Sequence, residues 1–236
     1  MNIYEKMTLY KENFDDVTRL RIPILNEEGE TLGVLFCLDR GMAAIPGFAK
    51  ILANWRQANM QWFMTQFTAT PARTQQWLDT VIIPEPNRIM FMIYTADWDM
   101  IGHYGIKSIK TWYAELDNGL RGERRGPKGM MHYAEIALLS WMFGTLGMRV
   151  ANLWIFSNNE PTLKWHLKNG YKIGKSLPLY KQVRNWGVEY TTDEAEGALA
   201  DFEYLEMTIS KRDLLLMHPW ITERYNWTPE KLIEGF

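Results

Sequence analysis

The spacing of apolar positions changes several times along the chain, and each change marks an element. Residues 19–25 and 31–38 are strand-like, and residues 26–30 (Asn-Glu-Glu-Gly-Glu) offer a turn between them, so the pair reads as a hairpin. Residues 46–66 have helical spacing, with Phe48, Ile51, Leu52 and Trp55 on one side. Pro71 suits a first helical position, and Trp77, Leu78, Val81 and Ile82 fit a second helix that Pro84 and Pro86 stop. Three strand candidates follow at 88–94, 101–106 and 112–121. Residues 122–128 form a polar loop, and 129–146 read as a helix through Met130, Ala134, Ala137, Leu138 and Trp141. A strand at 150–156, a short helix at 161–169, a strand starting at 171 and a late strand at 202–210 complete the pattern. From residue 88 the order is β-β-β-loop-α-β-α-β, which predicts an α/β fold with a mixed central sheet.

Composition narrows the function classes. A chain of 236 residues is one large domain or one domain with extensions. We divide it into an N-terminal extension (1–44, with the hairpin), a central domain (45–211) and a C-terminal tail (212–236) of a short helix and aromatic residues. With 11 Trp the core is large and rich in rings. The formal net charge of -2 gives no global attraction to nucleic acid or to an anionic membrane. Cys37 is the only cysteine and lies in an apolar strand, so it reads as a small buried hydrophobe, and a disulfide framework is excluded. The four histidines have no metal-ligand spacing, so no metal is expected. Residues 1–16 are polar and carry acids, unlike a signal peptide. Residues 136–156 are too interrupted, by Gly144, Gly147, Arg149 and Asn152, to read as a membrane span. A reducing, cytoplasmic location is the expectation.

Two segments carry chemistry. Residues 122–131 read Gly-Glu-Arg-Arg-Gly-Pro-Lys-Gly-Met-Met, after a strand and into a helix. Gly126 and Gly129 let the backbone pass close to a ligand. The free amides and positive dipole end of the helix start bind phosphate, and Arg124, Arg125 and Lys128 add charge. Taken alone, the same turn serves as a solvated helix cap. The second segment, residues 154–171, reads Trp-Ile-Phe-Ser-Asn-Asn-Glu-Pro-Thr-Leu-Lys-Trp-His-Leu-Lys-Asn-Gly-Tyr.

Together these segments resemble the GNAT superfamily of N-acetyltransferases. That family shows an (R/Q)-x-x-G-x-(G/A) loop, then a strand and Asn-x-x-Ala-x-x-x-Tyr-x-x-x-Gly-Phe. Asn159, Thr162, His166, Gly170 and Tyr171 fall in those places, and the resemblance covers roughly residues 47–210. The chain departs from the pattern at Glu123, Pro127 and Lys128 in the loop, and at His166, where the family often has tyrosine. A narrower likeness links residues 52–57 (Leu-Ala-Asn-Trp-Arg-Gln), 74–78 (Thr-Gln-Gln-Trp-Leu), 114–131 and 204–213 to acetyltransferases of amino sugars on nucleotide carriers. The Trp-Arg and Ile-Gly-His features are also similar to ribosomal-protein N-terminal acetyltransferases.

The resemblance implies a GNAT fold whose central sheet splays between two parallel strands. Acetyl-CoA, or another acyl-CoA, is the implied co-substrate. Its pantetheine arm would pair with backbone at Asn118, Gly119, Leu120 and Arg121, and its pyrophosphate would lie against Arg124, Arg125, Gly126, Lys128, Gly129 and Met130. Backbone donors polarise the thioester, and the amine attacks directly in a ternary complex. His166 is the candidate acid for the leaving sulfur, since an imidazole titrates near neutrality; the alternative is a histidine that packs beside the cofactor. Glu115 is the candidate base, or else an outward strand carboxylate. His103 contacts the acceptor or a water, or is a satisfied core histidine. Asn159 caps the following helix or touches the cofactor. Trp55 and Arg56 are candidate acceptor contacts on a stripe that also suits a core.

The expected acceptor is a small-molecule amine, favouring an amino sugar on a nucleotide. The alternatives are a protein N-terminus or lysine, and a non-catalytic CoA-binding module. Residues 1–44 either extend the sheet edge or mediate a homodimer.

Overall fold

The run Ile89–Thr95 (β4) is apolar from Ile89 to Ile93 because both of its faces are covered. Ile89, Phe91 and Ile93 enter one core, and the alternate residues Met90 and Met92 enter another on the opposite face. The computed structural model describes residues 1–12, 19–194 and 197–227. Among these residues ten strands join one sheet. Besides β4 they are β1 (Arg21–Leu25), β2 (Thr31–Cys37), β3 (Thr65–Phe67), β5 (Met100–Lys107), β6 (Tyr113–Arg121), β7 (Val150–Phe156), β8 (Lys172–Arg184), β9 (Gly187–Thr191) and β10 (Ala198–Ser210). Their order across the sheet is β1-β2-β4-β5-β6-β7-β10-β8-β9-β3. The sheet is mixed: β6 and β7 pair in parallel, and the other recorded pairs are antiparallel.

One core lies under helix α5 (Met130–Gly144), which is buried almost all round. Helices α1 (Ile3–Glu12), α7 (Lys211–Met217) and α8 (Ile221–Arg224) add Met7, Leu214 and Ile221 to it. The other core lies under α2 (Arg40–Ala43), α3 (Phe48–Ala58), α4 (Pro71–Trp77) and the π-helical turn Leu78–Ile82 that continues α4. Pro71 opens α4, and the Thr70 side chain caps it by accepting from the Arg73 amide. Helix α6 (Glu160–Lys168) follows β7. The hairpin β1–β2 forms as expected and extends the sheet through β2 and β4.

The structure corrects the reading in three places. The helix expected over residues 46–66 ends at Ala58, where the Asn59 amide side chain bonds the Trp55 carbonyl. The chain then makes a 3-10 turn, Met60–Trp62, and the short strand β3. No element is assigned to residues 1–16 from the sequence, and α1 forms there and buries Met7 and Lys11. The Lys11 ammonium donates to the carbonyls of Ile82 and Glu85, and burial lowers its pKa to about 8. Strand β9 carries no clear signal in the sequence. Cys37 is fully buried, and burial pushes its thiol pKa well up.

Candidate active site

Strands β6 and β7 touch only at their start. Tyr113, Ala114 and Glu115 pair with Val150, Ala151 and Asn152, and beyond them the two strands part. Each remains paired on its other side, β6 with β5 and β7 with β10 as far as Phe156. The parted edges therefore offer backbone N–H and C=O groups with no strand between them, which an extended amide-bearing ligand can pair. A cavity of about 600 Å³ fills the gap, lined from one side by Leu116–Arg121 and from the other by Leu153–Phe156. The wedge expected from the resemblance is open.

A bulge shapes its near edge. His103 pairs with Leu120 and Gly105 with Asp117, so Tyr104 alone faces both Asn118 and Gly119. Such a two-against-one bulge re-aims the backbone. Asn118 takes the left-handed conformation (φ 53°), and its carbonyl accepts from His103 Nδ1 at 2.7 Å. Gly119 is required because a Cβ there would meet the Tyr104 ring at 2.8 Å. His103 is buried, and burial lowers its pKa to about 4, so at neutral pH it is an uncharged imidazole with Nε2 left as acceptor.

The loop before α5 enters the helix through Gly126 (φ 85°) and Gly129 (φ 84°). Gly129 is the N-cap residue, no side chain caps the helix, and its first full turn closes at the Tyr133 amide. The amides of Met131 and His132 precede that bond and point toward the helix start. Arg124, Gly126 and Lys128 are exposed, and Arg125 pairs with Asp99 at 2.8 Å. The Met130 side chain is fully buried in the core, so its backbone is the part left to meet a ligand. Gly119, Leu120 and Arg121 line the cavity, and the Arg121 guanidinium braces the loop by donating to the Glu123 and Arg125 carbonyls.

On the far wall Asn159, Thr162, Trp165 and His166 line the cavity from α6. Asn159 occupies the N-cap position but makes no side-chain cap bond. His166 is buried, stacks on Trp165 (centroids 4.7 Å), and donates from Nδ1 to Glu135 Oε1 at 3.0 Å. Glu135 is a carboxylate with no exposure on an otherwise apolar stretch of α5. Its second oxygen accepts from Asn169 Nδ2 at 3.0 Å. Burial, then the Glu135 charge, holds the Tyr104 and Tyr171 hydroxyls far above their ordinary pKa.

Glu115 lies at the point where the strands part and lines the cavity. Lys107 Nζ bridges it to Asp117, at 3.0 and 3.5 Å, and Arg88 holds Asp117 at 2.6 Å. Burial raises the Glu115 pKa more than Lys107 lowers it.

Of the two acceptor candidates, Arg56 lines the cavity and Trp55 does not. Trp55 is buried between α3 and the sheet, with Nε1 donating to Glu123 Oε1 at 3.1 Å and its ring 6.2 Å from His103. A second cavity of about 240 Å³ adjoins the first around Arg56, and His103 lines it. The sequence reading did not assign Glu135, Lys107, Asp117, Arg73 or Tyr204 to the site. Glu135 carried a signal, being the lone acid within the apolar helix.

A search of the curated proteins finds no match. Among solved structures, the spermidine N-acetyltransferase from Vibrio cholerae in complex with CoA and spermine matches with a TM-score of 0.57 at 16% identity, covering 77% of this chain and 96% of that one. The spermidine/spermine N-acetyltransferase from the same organism in complex with manganese ions matches with a TM-score of 0.55 at 16% identity, over 78% and 96%. At such identities the likeness establishes the fold. It lends no weight to the narrower kinship with amino-sugar or ribosomal-protein enzymes. The family model described as "Acetyltransferase (GNAT) domain" matches residues 43–172. That match spans more than half of the chain and takes in both parted strands: the chain belongs to the GNAT acetyltransferase family and is an acyl-CoA-dependent N-acetyltransferase.

Proposed function

We propose that the enzyme moves an acetyl group from acetyl-CoA to the primary amine of a small molecule, by direct attack in a ternary complex, with an amino sugar on a nucleotide carrier as the favoured acceptor. The parting of β6 from β7 beyond Glu115 carries this reading. The unpaired edges and the Asn118 bulge suit the amides of a pantetheine arm, and the uncapped start of α5 suits its pyrophosphate. Backbone N–H groups of the bulge supply positive charge where the thioester oxygen becomes negative. Glu115 takes the proton of the attacking amine, directly or through water. His166 gives its Nε2 proton to the departing sulfur as a doubly protonated ring, whose Nδ1–H stays bonded to Glu135. The likeness of residues 52–57 and 74–78 to amino-sugar enzymes supports the acceptor class. The spermine bound by the fold neighbour supports a small amine in general. A cytoplasmic setting belongs to the same proposal; no helix among the described residues is long and apolar enough to cross a membrane.

Calorimetry with acetyl-CoA, followed by thiol release across a panel of amines, tests the reading. Saturable binding and release with small amines are expected. Binding without release from any amine points to a non-catalytic CoA-binding module, absence of binding overturns the proposal, and release with peptides alone moves the acceptor to protein.

A further inference from the structure

The second cavity shares Arg56, Phe63, Thr65, Asn118 and Leu120 with the first, so whatever occupies it lies beside the reacting centre. Its outer wall is made by Phe67, Arg73, Thr74 and Trp77. The Arg56 guanidinium lies 4.1 Å from the Phe63 centroid and 4.8 Å from that of Phe67. Arg73 lies 3.9 Å from the same Phe67 ring. Both guanidiniums thus lie against the Phe67 ring, and both line this cavity.

Among the described residues neither arginine is held by a carboxylate. Arg56 gives one N–H to the Thr65 carbonyl, and its Nε is buried without a partner. Asp117, the acid whose charge reaches Arg56, is already held by Arg88 and Asn118. Burial first, and the Arg73 charge second, push the Arg56 guanidinium below its ordinary pKa. A buried donor without an acceptor is destabilising, and the nearby Arg73 charge adds to that. An oxyanion relieves both. The planar fork of a guanidinium matches phosphate and carboxylate in shape.

We infer that this cavity is an oxyanion subsite: Arg56 and Arg73 take a phosphate or carboxylate carried by the acceptor, while its amine occupies the larger cavity. The inference rests on the transferase reading and narrows its acceptor to an amine bearing a negative group. A bare polycation would meet two repelling charges and no acid on this lining. The rings of Phe63, Phe67 and Trp77 leave the flank of the bound anion to apolar or planar groups.

The test begins by saturating the protein with CoA, so that the cofactor's own phosphate site is filled. Inorganic pyrophosphate and, separately, malonate are then titrated by calorimetry into wild type, Arg73→Gln, Arg56→Gln and Arg56→Lys. Wild type should bind at least one of them. Both Gln variants should lose about ten- to a hundredfold, the effect of deleting a hydrogen bond to a charged group, with Arg56→Lys in between. Preference for pyrophosphate assigns a phosphorylated acceptor, and preference for malonate an acidic one. Unchanged CoA affinity shows that the variants are folded. If CoA binds but neither anion does, or if the variants bind anions as wild type does, the subsite is refuted and the transferase reading stands. If CoA itself fails to bind, both fall.

Discussion

Glu135 Oε1 accepts a hydrogen bond from His166 Nδ1 at 3.0 Å, joining the middle of the buried helix to the wall of the cleft. A buried carboxylate that accepts from Nδ1 orients the ring, so that Nε2–H of the doubly protonated imidazole is the acid that meets the sulfur. Replacing His166 by Phe should lower kcat by about 10²–10⁴-fold, the usual share of a positioned acid. Replacing Glu135 by Gln should lower kcat by about tenfold or more and leave the Kd for CoA unchanged. Steady-state kinetics beside calorimetry separates the two quantities, and a change in CoA binding alone would remove Glu135 from this role.

Gly119 holds the bulge open against Tyr104. Alanine at this position places a Cβ 2.8 Å from the ring, so the ring or the bulge must shift. Gly119→Ala should raise the KM for acetyl-CoA several-fold and destabilise the fold by about 1–3 kcal/mol, as overpacking does. Urea unfolding and initial rates measure the two effects.

His103 makes the fold acid-sensitive. Its folded pKa of about 4 lies below the unfolded value of about 6.5, so between these the unfolded chain binds more protons. Stability is then lost as pH falls through that window. For this residue the loss from pH 7 to pH 5 is about 2 kcal/mol. His103→Gln should show a correspondingly flatter acid limb in denaturant melts. Equal slopes would mean that the imidazole is not buried as described.

Lys11 acts at the other end of the scale. Its folded pKa of about 8 is depressed from about 10.4, so the unfolded chain again binds more protons between the two values. Stability should therefore rise from pH 7.5 to pH 9.5, by about 1 kcal/mol after solvent screening, relative to Lys11→Met. Melts of the two proteins in matched buffers give the difference directly.

The residues that open the cleft were legible because each stretch has one period. Val150–Phe156 is apolar but for Asn152, as suits a strand covered on both faces, and α5 repeats at three and four. The two motifs then located the wedge between them. What stayed hidden depends on partners distant in sequence. Thr65–Phe67 becomes a strand only by pairing with Gly187, Val188 and Glu189. Within the aromatic run 60–67 it reads as more helix. Arg73 looks like an ordinary exposed helix residue until Phe67 brings it beside Arg56. Trp55 shows the reverse: its spacing fits an acceptor wall or a core equally, and the structure buries it with its indole N–H on Glu123.

The sealed position of Cys37 has a practical consequence. With no other thiol in the chain, the folded enzyme is silent toward chromogenic disulfide reagents. Any rapid colour in a reaction mixture then reports liberated CoA, without a protein blank. Slow labelling in the absence of substrate reports how often strand β2 becomes accessible, so one reagent reads both turnover and breathing of the fold.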